Sequence, residues 1–225
     1  MSDAGASNHR RVECAPRGRR NLVRNLGRVR LGWVLLLLGA GVLLGGLALR
    51  PAKDAVRGAW NEVGLRRVEG HAGAIRAAAQ ESGVDANLLA AVMYAESRGQ
   101  VDAVSSVGAL GLYQLMESAA MDSARRLGVE TPTREELLSN PTLNARLAAS
   151  HLGWLLEHEG PELEPVLVAY NAGRTKLHRW VRKHGSYEAW RKKQVRDGDS
   201  QVLAYATQVL AVRERFIERG VIAPR

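Results

Sequence analysis

The stretch AAVMYAESRGQVDAVSSVGALGLYQLM, Ala90 to Met116, decides how the chain reads. Its first half continues a helical pattern that starts at Ala86, in which Leu88, Val92 and Glu96 follow at intervals of four and share a face with Leu89 and Met93. An apolar face therefore ends in a carboxylate. Desolvation by that face, the negative end of the helix dipole and whatever covers the side chain all push the Glu96 pKa upward. A carboxylic acid kept protonated near neutral pH is what general-acid attack on a glycosidic oxygen requires. A structural glutamate turned to solvent at a fraying helix end satisfies the same spacing, and such carboxylates are commoner than catalytic ones.

The second half of the stretch changes that balance. SSVGALGLYQL supplies Ser105, Gly108 and Gly111, small residues that let backbone approach a ligand closely, followed by Gln114, whose amide both donates and accepts. This lining suits a sugar, which presents hydroxyl and acetamido groups with little charge.

Outward from this stretch, apolar residues recur at three and four from Leu65 onward, Gly and Pro separate the segments, and no alternating β-branched run appears. The spacing predicts helices over about 66–81, 86–98, 112–127, 134–138, 142–158, 163–171, 175–183 and 200–219. Asp85 is placed to cap the second, Asn140-Pro141 opens the fifth, and Gly99, Gly128, Gly160 and Gly173 follow helix ends. The fold class is all-α.

The N-terminal part is of another kind. Residues 1–30 carry eight arginines against Asp3 and Glu13, so most of the net charge of +9 sits there. Then LGWVLLLLGAGVLLGGLAL, Leu31 to Leu49, runs without a charged residue. As a helix rising about 1.5 Å per residue it approaches the roughly 30 Å of a bilayer's hydrocarbon core. Arg24, Arg28 and Arg30 on one flank against Arg50 and Lys53 on the other place the N-terminus in the cytoplasm and the rest outside it. A cleaved signal peptide, with Gly46 and Ala48 before the cut, competes with this reading. The length of the apolar run and of the basic region ahead of it favours an uncleaved anchor. The chain then divides into a basic cytoplasmic tail (1–30), a transmembrane signal-anchor helix (31–49), a stalk or linker (50–64) and an exported domain (65–225).

The one cysteine, Cys14, lies on the cytoplasmic side of this scheme and forms no intramolecular disulfide. His9, His71, His151, His158, His178 and His184 show no metal-ligand spacing, so no metal and no cofactor is expected. Basic residues in the exported part are interspersed with acids and lack a recognition motif, which argues against nucleic acid. RKKQVR, Arg191 to Arg196, reads as a solvated face with some attraction for anionic cell-wall polymers.

The order of motifs then carries a resemblance. Glu96-Ser97, Ala103-Val104-Ser105, Gly108-Ala109, Gly111-Leu112, Gln114-Leu115-Met116, Asn140-Pro141, Asn144 and AYNAG at Ala169 to Gly173 closely resemble lytic transglycosylases of the soluble-lytic-transglycosylase (SLT) type, across about residues 75–215. The resemblance implies a lysozyme-like helical domain with a long substrate groove. It assigns the catalytic acid and base to Glu96 and substrate contacts to Ser105, Gln114, Met116, Tyr170 and Asn171. It also makes Tyr205, in YATQVL, a residue that holds or lines the cleft. The chain departs from the family pattern at Gly99, Gln100 and Val101, at Tyr113, at Glu117, Ser118 and Ala119, and at His151, where the family often has tyrosine.

What this implies is a membrane-anchored enzyme in the periplasm, cleaving the β-1,4 bond between N-acetylmuramic acid and N-acetylglucosamine in peptidoglycan with formation of 1,6-anhydro ends. Its partners would be glycan strands, the cytoplasmic membrane and envelope machinery. Two readings stand beside it. A goose-type muramidase would use water and a second carboxylate, for which Asp102 and Glu117 are nearest in sequence. A membrane-tethered module would bind peptidoglycan in the same groove, position an envelope machine and cut little or nothing, a reading supported by Gly99-Gln100-Val101 as a loose segment.

Overall fold

The computed structural model describes residues 55–56, 58–198 and 200–223. The predicted cytoplasmic tail, the membrane span and residues 50–54 and 57 of the stalk lie outside the described residues. Among the described residues no helix is long and apolar enough to cross a membrane, and there is no strand, only isolated bridges pairing Val104 with Leu110 and Leu110 with Leu115.

The centre is the helix carrying Glu96. Every residue from Leu88 to Tyr94 is buried, so α3 (Ala86–Ser97) is apolar all round and must be wrapped by other elements. It follows α1 (58–70) and α2 (Ala72–Ser82) and precedes α4 (Glu117–Leu127), α5 (Arg134–Ser139), α6 (Pro141–Glu159), α7 (Leu163–Ala172), α8 (Arg174–His184), α9 (Tyr187–Asp197) and α10 (Gln201–Arg219). A second central helix, α6, packs against α2, α4, α5 and α7, while α8 and α9 continue outward from α7.

The partner that matters most for the site is α10. Leu203, Ala206, Val209, Val212 and Phe216 form its buried stripe, which lies along α3. Its direction is fixed at both ends: Arg213 Nε donates to Asp85 Oδ2 (2.6 Å) at the start of α3, and Tyr205 meets Glu96 at its end. The helices are therefore antiparallel. Beyond that, Arg219 pairs with Glu62 and Glu69 of α1, which sets how far α10 can slide. Buried side chains of this size each contribute about 1.5–3 kcal/mol, so the α3–α10 seam supplies stability while the polar contacts choose its register.

Caps explain where elements begin. Asp85 accepts from Asn87 N (2.9 Å), Asn140 accepts from Leu143 N (3.0 Å) with Pro141 following, and Thr133 and Glu136 form a reciprocal capping box on α5. Three sequence expectations differ from the structure. The helix expected over 66–81 is broken at His71, a turn residue between α1 and α2. The helix expected from 112 begins at Glu117, because residues 110–116 are held as a loop. The helix Tyr187–Asp197 was not anticipated: its charged surface hides a thin apolar signal, in which buried Trp190 stacks on Trp180 at 5.2 Å and Ser186 caps the first turn.

Candidate active site

Glu96 stands in the last turn of α3, part-buried, and accepts a 2.7 Å hydrogen bond on Oε1 from the Tyr205 hydroxyl. Burial pushes its pKa up to about 7, with the Tyr205 bond pulling the other way. The expected dipole contribution is not needed for this, since desolvation dominates. No other carboxylate acts on it among the described groups. Tyr170 and Tyr205 are both held well above the ordinary phenol range, by burial first and then by the nearby Glu96 charge, so both remain hydrogen-bond donors. Tyr170 donates to the main-chain oxygen of Tyr113 at 3.1 Å, which ties α7 to the loop.

The loop after α3 is built by buried polar groups. Ser97, beside Glu96, donates to Leu112 O (2.7 Å) and accepts from Gly99 N (3.1 Å). Asn144 on α6 is fully buried: its Oδ1 accepts from Tyr113 N (3.1 Å), and its Nδ2 donates to Leu137 O (3.0 Å) and Leu110 O (3.3 Å). Gly111 lies against this amide with φ +73°. A Cβ there would sit 2.3 Å from Leu137 O and 2.4 Å from Asn144 Nδ2, so only glycine fits.

The other residues singled out by sequence fall into two groups. Ser105 Oγ accepts from Ala109 N (2.9 Å) and closes the 105–109 turn. Gln114 adopts a left-handed φ of 48° and its Nε2 donates to Ala103 O and Gly111 O, both at 3.0 Å, so its amide nitrogen shapes the loop. Met116, just ahead of α4, and Asn171, at the end of α7, are exposed and free to meet a ligand. Of the two acids nearest in sequence, Asp102 is exposed and Glu117 faces Arg134 at 3.9 Å with most of its side chain in solvent.

Some of the departures from the family pattern have physical explanations. Gly99-Gln100-Val101 is not loose: Gly99 is buried at φ +75°, where a Cβ would lie 2.9 Å from Val68 N, and Gln100 N donates to Ser97 O. Close packing of α1 demands the glycine. His151 is kept neutral, its pKa lowered to about 4 by burial and by the charge of Arg126, and its ring packs 5.4 Å from Tyr170. Tyr113 is fully buried, with a hydroxyl that has no partner among the described residues. Ser97 and His151 were not anticipated as builders of the site; a serine next to the acid was the available signal.

No group of three or more metal-binding side chains occurs among the described residues. The chain is similar to known proteins in fold and in sequence. The fold is similar to the lytic transglycosylase Slt of Pseudomonas aeruginosa (TM-score 0.58, 24% identity, covering 68% of this chain and 25% of that one). It is equally similar to the 70 kDa soluble lytic transglycosylase of Escherichia coli (TM-score 0.58, 20% identity, covering 65% of this chain and 24% of that one). In sequence, the membrane-bound lytic murein transglycosylase C of Salmonella typhimurium is 31% identical over 116 residues, 48% of this chain and 32% of the relative. The endo-type membrane-bound lytic murein transglycosylase A of Klebsiella pneumoniae is 33% identical over 129 residues, 56% of this chain and 61% of the relative. The chain thus spans between a third and three-fifths of the length of the curated relatives it matches. The transglycosylase SLT domain family matches residues 73–193, a stretch that contains Glu96, its loop, Asn144 and the Tyr170-Asn171 pair and exceeds half of the sequence, and the chain belongs to that family.

Proposed function

We propose that the chain is a membrane-anchored peptidoglycan lytic transglycosylase, with Glu96 as its catalytic acid and base. The observation that carries the reading is the state of Glu96: a carboxyl at the end of a buried helix, its pKa about 7, bonded to a phenol and with no second carboxylate acting on it among the described residues.

In the first step the protonated Glu96 gives its proton to the glycosidic oxygen as the bond from the anomeric carbon breaks. The substrate's acetamido oxygen shares the positive charge that develops there. In the second step the Glu96 carboxylate takes the proton of the muramic C6 hydroxyl, and that oxygen bonds to the anomeric carbon, closing a 1,6-anhydro ring and restoring the acid. Tyr205 holds Glu96 in both states, donating more strongly to the carboxylate. Ser105, Gln114, Met116, Tyr170 and Asn171 line the groove, with Met116 and Asn171 presenting free side chains. A water-using muramidase needs a second carboxylate roughly 5–9 Å from the first, and the exposure of Asp102 and the pairing of Glu117 favour the single-carboxylate route. Residues 31–49 anchor the enzyme, with its domain in the periplasm and cleavage close to the membrane.

The test is mass spectrometry of purified sacculi digested by the detergent-solubilised full chain beside Glu96→Gln. Anhydro-muropeptides from the wild type alone are expected. Reducing-end products would replace this reading by the muramidase, and binding of sacculi without products by the tether.

A further inference from the structure

A second feature begins where the groove residues leave off. Tyr170 packs on His151 at 5.4 Å, His151 stacks on Trp154 at 6.3 Å, and Trp154 carries the Arg174 guanidinium 5.4 Å from its ring centre. Laid end to end these steps reach about 17 Å, so Arg174 lies no farther than that from the Tyr170 ring. Beside it opens a cavity of about 350 Å³ lined by Trp154, Arg174, Thr175, His178 and Arg182.

The chemistry of that lining favours an anion. Glu159 is nearly buried, with 7% of its side chain exposed, and is engaged by Arg174 Nε and by His178 Nε2 (2.9 Å). The contact through Nε fixes the Arg174 guanidinium while leaving its terminal nitrogens free to donate. Arg182 is exposed and has no acidic partner among the described residues. Two guanidiniums, one held in place and one unpaired, with a hydroxyl and an aromatic wall, match a carboxylate on a partly apolar chain.

Resting on the reading of the groove as a peptidoglycan site, we propose that this cavity binds a free carboxylate of the stem peptide carried by a muramic residue lying beside Tyr170. An extended chain spans about 3.3–3.6 Å per residue, so a stem of four or five residues covers about 13–18 Å, against a straight-line separation of no more than about 17 Å. Cleavage would then favour strands that still carry their peptides, because peptide binding helps to seat the sugar.

Two measurements test this. In the first, a free stem tetrapeptide is titrated into the full chain by calorimetry. Saturable binding is expected, weakened about tenfold in Arg182→Gln, as befits a lost charge-assisted hydrogen bond. In the second, rates are compared on intact sacculi and on glycan strands stripped of peptide by an amidase. The wild type should prefer the peptide-bearing strands, and the ratio should collapse toward one in Arg182→Gln. Absence of peptide binding in the wild type, or unchanged affinity and ratio in the variant, overturns the proposal. Displacement of the peptide by an equal concentration of inorganic phosphate also overturns it, in favour of a phosphate-rich polymer. If neither substrate is cut, the transglycosylase reading fails, and the titration still decides the fate of the pocket.

Discussion

Removing one oxygen, in Tyr205→Phe, asks whether the environment of Glu96 sets its proton affinity. Two opposing influences act on that carboxyl: burial raises its pKa and the Tyr205 hydrogen bond lowers it, leaving it at about 7. A hydrogen bond to a charged group contributes about 1.5–3 kcal/mol, and one pKa unit corresponds to about 1.4 kcal/mol. Loss of the 2.7 Å bond should therefore raise the Glu96 pKa by about one to two units, to about 8 or 9. The sign of the kinetic effect follows from the role. In the proposed role Glu96 must be protonated to give its proton to the glycosidic oxygen, so kcat/KM falls as pH rises through its pKa in the free enzyme. In the variant the falling limb should move to higher pH, even as the plateau drops through loss of support for the carboxylate in the ring-closing step. The assay is release of anhydro-muropeptides from sacculi between pH 5 and 10. Tyr170→Phe is the control, because the Tyr170 hydroxyl donates to the Tyr113 carbonyl and not to Glu96; its limb should stay in place whatever happens to the rate. A Tyr205→Phe limb that stays at the wild-type pH, or moves down, refutes the reasoning.

Glu96 also makes a stability prediction. Its folded pKa lies above the ordinary 4.5, so the folded protein binds the proton more tightly than the unfolded chain; stability is full below about pH 4.5 and is lost as pH rises toward 7. Glu96→Gln should therefore be more stable than wild type by about 3 kcal/mol at pH 8 and equal to it at pH 4, and equal denaturant midpoints at both pH values would contradict this. Asn144→Ala strands Tyr113 N and Leu137 O in the interior, while Leu110 O keeps its bond from Leu115 N, which at about 1–3 kcal/mol per buried unpaired group should cost about 2 kcal/mol or more in urea unfolding; a loss below about 1 kcal/mol would mean that water replaces the amide. Gly111→Ala should destabilise far more than Gly128→Ala, since both have positive φ but only the first Cβ meets atoms within 4 Å; about 1 kcal/mol is expected at Gly128, and similar losses at the two sites would refute the packing argument. Ser97→Ala, which frees the Leu112 carbonyl, should lower kcat at a temperature where the variant is still fully folded, and an unchanged kcat there would assign Ser97 to stability alone.

Most helix positions and the place of the Glu96 carboxyl were legible in the sequence because they rest on local rules. Asp85 and Asn140 cap where side-chain chemistry says they should, and the spacing of Leu88, Val92 and Glu96 placed the carboxylate at the end of the buried helix. What stayed hidden depends on contacts between distant residues. Gln114 reads as a sugar contact by residue type, yet its amide nitrogen is committed to Ala103 O and Gly111 O. Gly99 reads as slack, and is a glycine because α1 passes 2.9 Å from its missing Cβ. The helix over Tyr187–Asp197 hides because two aromatic rings, rather than a regular apolar stripe, fasten it.

The proposed reaction makes conflicting demands on one group, and the fold answers them with separate devices. Glu96 must hold a proton at neutral pH to start the reaction and must accept one to finish it. Burial at the end of an all-apolar helix serves the first demand, and the Tyr205 hydroxyl, brought from 109 residues away by the antiparallel α10, serves the second. Either device alone would set the carboxyl wrongly: burial alone would hold the proton too tightly, and the phenol alone would let it go. A pKa near 7 is the balance point, at which the acid and the carboxylate are separated by little free energy. That balance depends on the register of α10 against α3, so the Arg213–Asp85 pair at the far end of the seam acts on the chemistry by fixing where Tyr205 stands. It follows that Arg213→Met, which keeps the length of the side chain and removes the pairing, should alter the pH profile as well as the stability, whereas an ion pair with only a structural role would alter the stability alone.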